Sequence, residues 1–255
     1  MSMTRKRFRR VAVTIEARMA SERLPGKVML PLAGEPMLQR LVERARRASS
    51  VDLVIVATTD RPADRIILDL CDRIGCPVHA GPVDDITERL LGAARRYDAD
   101  VLVQLTGDNP LVDPGHIDAT VALLHKRECD YAANNLVPGL PIGFDVRAFR
   151  VAALERSSIL SSDPVDRVHG SYFLARHPEL FSQAGWTADD GALRWPDLRL
   201  TVDEPADYEL VRRTFETLHA ENRDFRAEAV VALLRQRPDW VALNATVRQK
   251  AAAER

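Results

Sequence analysis

The chain has 255 residues, of which 46% are hydrophobic and 29% charged, and its formal net charge is −1. This is the length and balance of one large or two small soluble globular domains. It gives no overall attraction to nucleic acid or to a membrane surface, so any anion site has to be local.

The three cysteines, Cys71, Cys76 and Cys129, are odd in number and form no C-x-x-C. They argue against a disulfide framework or a zinc site and fit a reducing cytoplasm. No apolar stretch is long enough to span a membrane, and the run after Arg10 is too short for a signal peptide. Residues 1–10, with Arg5, Lys6, Arg7, Arg9 and Arg10, read as a solvated, disordered tail that leaves 11–255 as a single domain.

Residues 11–15 form an apolar, β-branched run and read as a buried strand. The loop after it carries Arg18, Arg23 and Lys27. Met37, Leu38, Leu41, Val42 and Ala45 then recur at helical spacing behind Pro36. A strand follows over 53–56, a helix over 62–74 that ends at Gly75, and a short strand over 77–79. A helix over 85–97 has an acidic start and Arg95-Arg96 in its last turn, as the helix dipole prefers. A continuous apolar strand over 101–105 leads to a helix over 114–126. This alternation predicts an α/β, Rossmann-like fold with a mostly parallel central sheet and helices on both faces. Further on, strands are expected over 130–133, 144–146 and 198–202, and helices over 165–176, 206–218, 227–234 and 240–251.

Five polar segments each follow a predicted strand: the Arg18 to Lys27 loop, Thr59-Asp60, Asp84-Asp85 with Thr87-Glu88-Arg89, Thr106-Gly107-Asp108-Asn109-Pro110, and Asp203. Parallel strands set all five on one rim, where open α/β sheets bind ligands. Arg18 and Arg23 offer planar forks and Lys27 a point charge, a set suited to a polyphosphate. A surface loop of solvated charges has the same composition. There is no P-loop, since Val28 follows Gly26-Lys27, and no G-x-G-x-x-G follows a strand.

Asp108 and Asp203 end two strands and form a pair able to hold magnesium, the equipment of phosphoryl or nucleotidyl transfer. The competing role for Asp108 is an Asx turn. Pro205 in the first helical position makes Glu204 the N-cap and leaves Asp203 outside the helix. Two uncompensated acids repel, so asparagine at either position is expected to leave folding stability unchanged or higher. Asp98-Ala99-Asp100 matches a D-x-D pattern but precedes strand 101–105, so it falls on the opposite rim as a helix-ending turn. The six histidines form no metal-spaced cluster.

With these residues in view, the chain resembles the cytidylyltransferases that activate acidic sugars, including the CMP-Kdo and CMP-sialic acid synthetases and, more closely, the spore-coat polysaccharide branch. Ala17-Arg18-Met19-Ala20-Ser21-Glu22-Arg23-Leu24-Pro25-Gly26-Lys27 resembles A-R-M-G-S-x-R-L-P-G-K. Thr106 to Pro114 resembles T-G-D-x-P-L-I-D-P, and Arg199 to Asp207 resembles R-L-T-V-D-x-P-x-D. Asp130-Tyr131 with Asn134, and Gly143-Phe144-Asp145-Val146, resemble D-Y-x-S-N and G-L-D-V.

The resemblance implies that Arg18 and Lys27 bind the triphosphate, with Ala17, Ser21 and Arg23 beside them, and that Asp108 and Asp203 hold Mg2+. It implies Arg89 and Thr106 on the nucleotide side, and Asn134, Asp145, Arg167 and His169 on the acceptor side. It further implies CTP and an acidic sugar as substrates, pyrophosphate as product, and a cytoplasmic homodimer. Three positions depart from the pattern: Ala20 replaces Gly, Thr106 replaces a base-side Gln, and Val168 replaces the acid of R-E-H. The alternatives are a nucleotidyltransferase using another base or a phosphorylated acceptor, a glycosyltransferase, and a non-catalytic nucleotide-binding protein.

Overall fold

The computed structural model describes residues 8–187 and 191–249. Most of the basic start therefore lies outside the described residues. Arg9 and Arg10 donate their backbone N–H groups to the Asp100 carboxylate at 3.0 and 2.8 Å.

In chain order the elements are β1 (Val11–Glu16), a small hairpin of β2 (Pro31–Leu32) and β3 (Glu35–Pro36), α1 (Met37–Ala45), β4 (Leu53–Thr59), α2 (Arg65–Arg73), β5 (Val78–Gly81), α3 (Ile86–Arg96), β6 (Val101–Thr106) and α4 (Pro114–Arg127). Then come β7 (Tyr131–Ala133), β8 (Arg147–Arg150), α5 (Val151–Leu160), α6 (Pro164–Arg167), α7 (Tyr172–Arg176), β9 (Gln183–Gly185), α8 (Pro205–Glu221), α9 (Ala227–Gln236) and α10 (Pro238–Val241). Seven strands form one sheet in the order β5-β4-β1-β6-β8-β7-β9, and within it β8 alone runs antiparallel to its neighbours.

The mostly parallel sheet agrees with the expectation, and its cause is visible in the burial. Val11, Val13 and Ile15 pack on one face against α1, α2 and α4, while Ala12 packs on the other against α3, α5 and α7. With both faces covered, each strand has to be apolar on both sides. Burying each Val or Ile contributes about 1.5–3 kcal/mol. A third cluster packs Leu198, Leu200 and Val202 against α8 and α9. No helix among the described residues is long and apolar enough to cross a membrane, and all three cysteines are free and buried.

Four expected elements differ. Residues 144–146 form no strand, because Asn134 stands in for the ladder: its amide donates to Phe144 O at 2.8 Å and its carbonyl accepts from Val146 N at 2.8 Å. Sheet pairing resumes at Arg147. Residues 198–202 make only a parallel bridge, Arg199 to Ile142, so their apolar side chains serve the third core rather than the sheet. The helix expected over 165–176 breaks into α6 and α7 around Gly170, whose φ is 64°. The last helix stops at Val241 and tightens into a 3-10 turn, where Asn244 bonds Arg199 O at 3.1 Å and Asp207 at 2.8 Å; residues 250–255 lie outside the described residues.

Candidate active site

The strand-end loop is stitched down before it reaches Lys27. Met19 N–H donates to Asp64 Oδ1 at 2.6 Å, and Gly26 N–H donates back to Met19 O at 2.9 Å. Gly26 takes φ 70° to start the 3-10 turn Lys27–Met29, and Val28 is buried in the core beside it. Ala20 has no positive φ, so the alanine is unstrained there. Arg18 is exposed on the rim and Ser21 is half-buried.

Lys27 is the hub. Its Nζ donates to Asp108 Oδ2 at 3.0 Å, to Asp203 Oδ1 at 2.9 Å and to Val202 O at 2.7 Å. Asp108 and Asp203 thus converge on one cation although residues 198–202 are no sheet strand. A backbone bond does the work of the missing pairing: Val202 N–H donates to Asp108 O at 2.8 Å. Two close approaches permit it. A Cβ at Gly107 would meet Glu16 O at 2.8 Å, and one at Gly143 would meet the Leu200–Thr201 peptide at 2.7 Å.

Two arginines hold the acids around this hub. Arg23 pairs with Asp203 at 3.0 Å and Glu204 at 3.1 Å, and Arg199 pairs with Asp203 at 2.7 Å and Asp207 at 2.9 Å. Asp207 closes a capping box with Glu204 at the start of α8, so Asp203 does stand one residue outside the helix. Thr106 Oγ1 donates to Asp108 Oδ1 at 2.5 Å.

Burial alone would raise the Asp203 carboxyl, but Lys27, Arg199 and Arg23 override it and leave its pKa at about 2. Burial also opposes the Lys27 ammonium, and its two carboxylates raise its pKa in turn. The expected repulsion between uncompensated acids is therefore corrected: both carboxylates are neutralised by cations.

Two carboxylates bridged by one cation suit a hard divalent ion, which needs one or two protein carboxylates when nucleotide oxygens complete its shell. Among the described residues no group of three metal-ligating side chains occurs, and Asp108 and Asp203 are two carboxylates that meet on one ammonium, that of Lys27. Asp98 and Asp100 lie at the other end of β6, with Asp100 holding the backbone of Arg9 and Arg10.

The family is decided by the match of the cytidylyltransferase family model to residues 12–184. The chain belongs to the cytidylyltransferase family. It is 30% identical to the Bacillus subtilis spore coat polysaccharide biosynthesis protein SpsF over 230 residues, 88% of this chain and 94% of that one. It is 42% identical to a 3-deoxy-manno-octulosonate cytidylyltransferase of Anaeromyxobacter dehalogenans over 181 residues, 70% of this chain and 68% of that one. A solved cytidylyltransferase from Leptospira borgpetersenii superposes with a TM-score of 0.84 at 26% identity, covering 95% of this chain and 99% of that one.

The remaining expected site residues of this cytidylyltransferase are more dispersed. Arg89 is buried on α3 and donates to Pro82 O at 3.1 Å and Val83 O at 3.0 Å, which ties down the loop after β5. Arg167 pairs with Asp85, the N-cap of α3, and donates to Ser158. Asn134 is spent on the backbone of 144–146. Asp145 accepts from Gly143 N at 3.3 Å and lines a cleft of about 200 Å³ with Asn134 and Phe144. His169 packs edge-on against Tyr172 with ring centroids 5.5 Å apart.

Replacing Arg89 by alanine orphans two backbone carbonyls. It is expected to cost roughly 1.5–3 kcal/mol of stability in urea unfolding and to weaken all four nucleoside triphosphates alike. A selective loss of CTP over UTP with unchanged stability would put Arg89 at the base instead.

Three residues of the rim carry no motif signal: Asp64, Glu16 and Arg147. Asp64 is buried and takes hydrogen bonds from Met19 N–H and the Thr59 hydroxyl. Glu16 ends β1, accepts from the Gln104 amide, and has its carboxyl pushed up by burial. The trace of Glu16 and Asp64 in the sequence is a charge at the end of an apolar strand or a few residues beyond it, whereas Arg147 opens β8 and leaves none.

Proposed function

We infer that this cytidylyltransferase transfers CMP from CTP to a sugar acid and releases pyrophosphate. The observation that carries this reading is the convergence of Asp108 and Asp203 on Lys27 at the carboxyl rim of the sheet. The names of two relatives support the acceptor class: one acts on 3-deoxy-manno-octulosonate, and the other is a polysaccharide biosynthesis protein.

The acceptor hydroxyl attacks the α-phosphorus in line, with no covalent enzyme intermediate. Lys27 and Arg18, with Arg23, Ser21 and the Ala17 backbone beside them, hold and neutralise the triphosphate. Asp108 and Asp203 would hold Mg2+, which supplies charge neutralisation at the α-phosphate and the leaving pyrophosphate. Thr106 keeps Asp108 oriented, and Arg199 does so for Asp203. Arg89 fixes the loop on the nucleotide side, and Asp145 and His169 face the acceptor side.

Pyrophosphate release is measured with CTP, Mg2+ and a panel of keto-sugar acids that includes 3-deoxy-manno-octulosonate, beside neutral sugars and sugar 1-phosphates. Release with one or more sugar acids and with no neutral sugar is expected. Release with sugar 1-phosphates alone would overturn the reading.

A further inference from the structure

Arg147 opens β8, and the reversed direction of that strand brings it to the ligand rim. It lies in register with Gln104 of β6 on one side and Ala133 of β7 on the other. Phe149, two residues on, packs with Ala12 and Leu102 on the α3 side of the sheet, so Arg147 shares that face. It stands among Tyr131, Asp145, Glu16 and Asp108, whose oxygens favour the cation where burial opposes it.

Among the described residues this guanidinium forms neither a salt bridge nor a side-chain hydrogen bond. The acids around it are engaged elsewhere. Asp108 is held by Lys27 and Thr106, Glu16 by the Gln104 amide, and Asp145 by Gly143 N–H. The other inward arginines of the rim are engaged too: Arg23 by Asp203, Arg89 by backbone carbonyls and Arg167 by Asp85. Among the described residues Arg147 is thus a half-buried fork of donors with no hydrogen-bonded acceptor, and a planar carboxylate is the group that fits it.

We propose that Arg147 receives the carboxylate of the acceptor sugar acid. This rests on the reading given above that the acceptor is a sugar acid. In the ring form of a 2-keto sugar acid, the hemiketal hydroxyl sits on the carbon that bears the carboxylate. Fixing the carboxylate on Arg147, one strand from Asp108, therefore also fixes the nucleophile toward the α-phosphorus. A neutral sugar leaves this half-buried cation unpaired, which is how this site rejects it.

The test uses Arg147→Gln and Arg147→Lys in the full chain, with CTP and Mg2+. The acceptor is 3-deoxy-manno-octulosonate, or the keto-sugar acid of the panel that turns over fastest, and the carboxamide of the same sugar. The parent is expected to prefer acid over amide at least tenfold in kcat/KM. Arg147→Gln is expected to raise the KM for the acid at least tenfold, leave the KM for CTP within twofold, and flatten the acid-over-amide preference. Arg147→Lys is expected to fall between, and it carries the test should the glutamine variant fail to fold. Equal losses for acid and amide, or a KM for CTP that rises in step, would overturn the proposal and leave Arg147 a packing or triphosphate residue. A parent that turns over sugar 1-phosphates and no sugar acid would instead overturn the underlying reading, and this inference with it.

Discussion

Exchanging Asp203 for asparagine is expected to lower turnover by roughly 10²–10³-fold, the size that goes with losing charge stabilisation aimed at a developing anion. Asp108→Asn is expected to do the same. Both variants keep side-chain shape and turn propensity, so a pure turn or capping role predicts near-parent activity. Steady-state pyrophosphate release separates the two outcomes.

Stability gives a second readout. Asp203 carries a carboxyl held at about 2 by Lys27, Arg199 and Arg23 against its own burial. Because its folded pKa is depressed, its contribution is fully present above about pH 4 and fades as pH falls toward about 2. At pH 7 the asparagine variant should be less stable by about 2 kcal/mol, and the gap to the parent should close in acid. An unchanged urea midpoint at neutral pH would mean that the charge network contributes little to the fold.

Removing the Lys27 ammonium is expected to act on both binding and folding. A charge-assisted contact to a phosphate is worth about 1.5–3 kcal/mol, so Lys27→Ala should bind CTP roughly 10- to 100-fold more weakly. The same change leaves Asp108 and Asp203 facing each other without their shared cation. Breaking such a partly buried pair from one side costs about 2–4 kcal/mol at pH 7. That deficit should shrink as pH is lowered, because protonating one acid ends the repulsion. Magnesium alone should raise the melting temperature of Lys27→Ala more than that of the parent, since a divalent cation then meets no competing ammonium. A variant that binds CTP as tightly as the parent and melts at the same temperature would remove Lys27 from the site.

Much of this arrangement was legible in the sequence because it is local. An apolar run followed at once by Arg18 to Lys27, or by Gly107-Asp108, says which rim carries the charge. Pro205 after Glu204 says where α8 begins, and so that Asp203 stands outside it. Asp85 caps α3 by accepting from Glu88 N–H at 2.8 Å, as an acidic helix start implies.

The parts that escaped are set by contacts distant in sequence. Asn134 displaces the strand expected at 144–146 because its side chain takes backbone bonds ten and twelve residues away. That shift moves the ladder to Arg147 and places a cation on the rim that no local pattern announces. Residues 198–202 look like a strand because they alternate apolar and polar, yet their apolar side faces α8 and α9 instead of the sheet. Arg167 gave no sign that it would be taken by Asp85, a partner 82 residues away.

The most direct test offers the protein an equimolar mixture of CTP, UTP, ATP and GTP with Mg2+, the sugar acids of the panel and the corresponding sugar phosphates, and identifies the product by mass. The predicted product is the CMP ester of a sugar acid, formed with one pyrophosphate per ester by the parent and almost none by Asp108→Asn or Asp203→Asn. A nucleoside diphosphate sugar, a product carrying another base, or undiminished product from either asparagine variant would contradict the account.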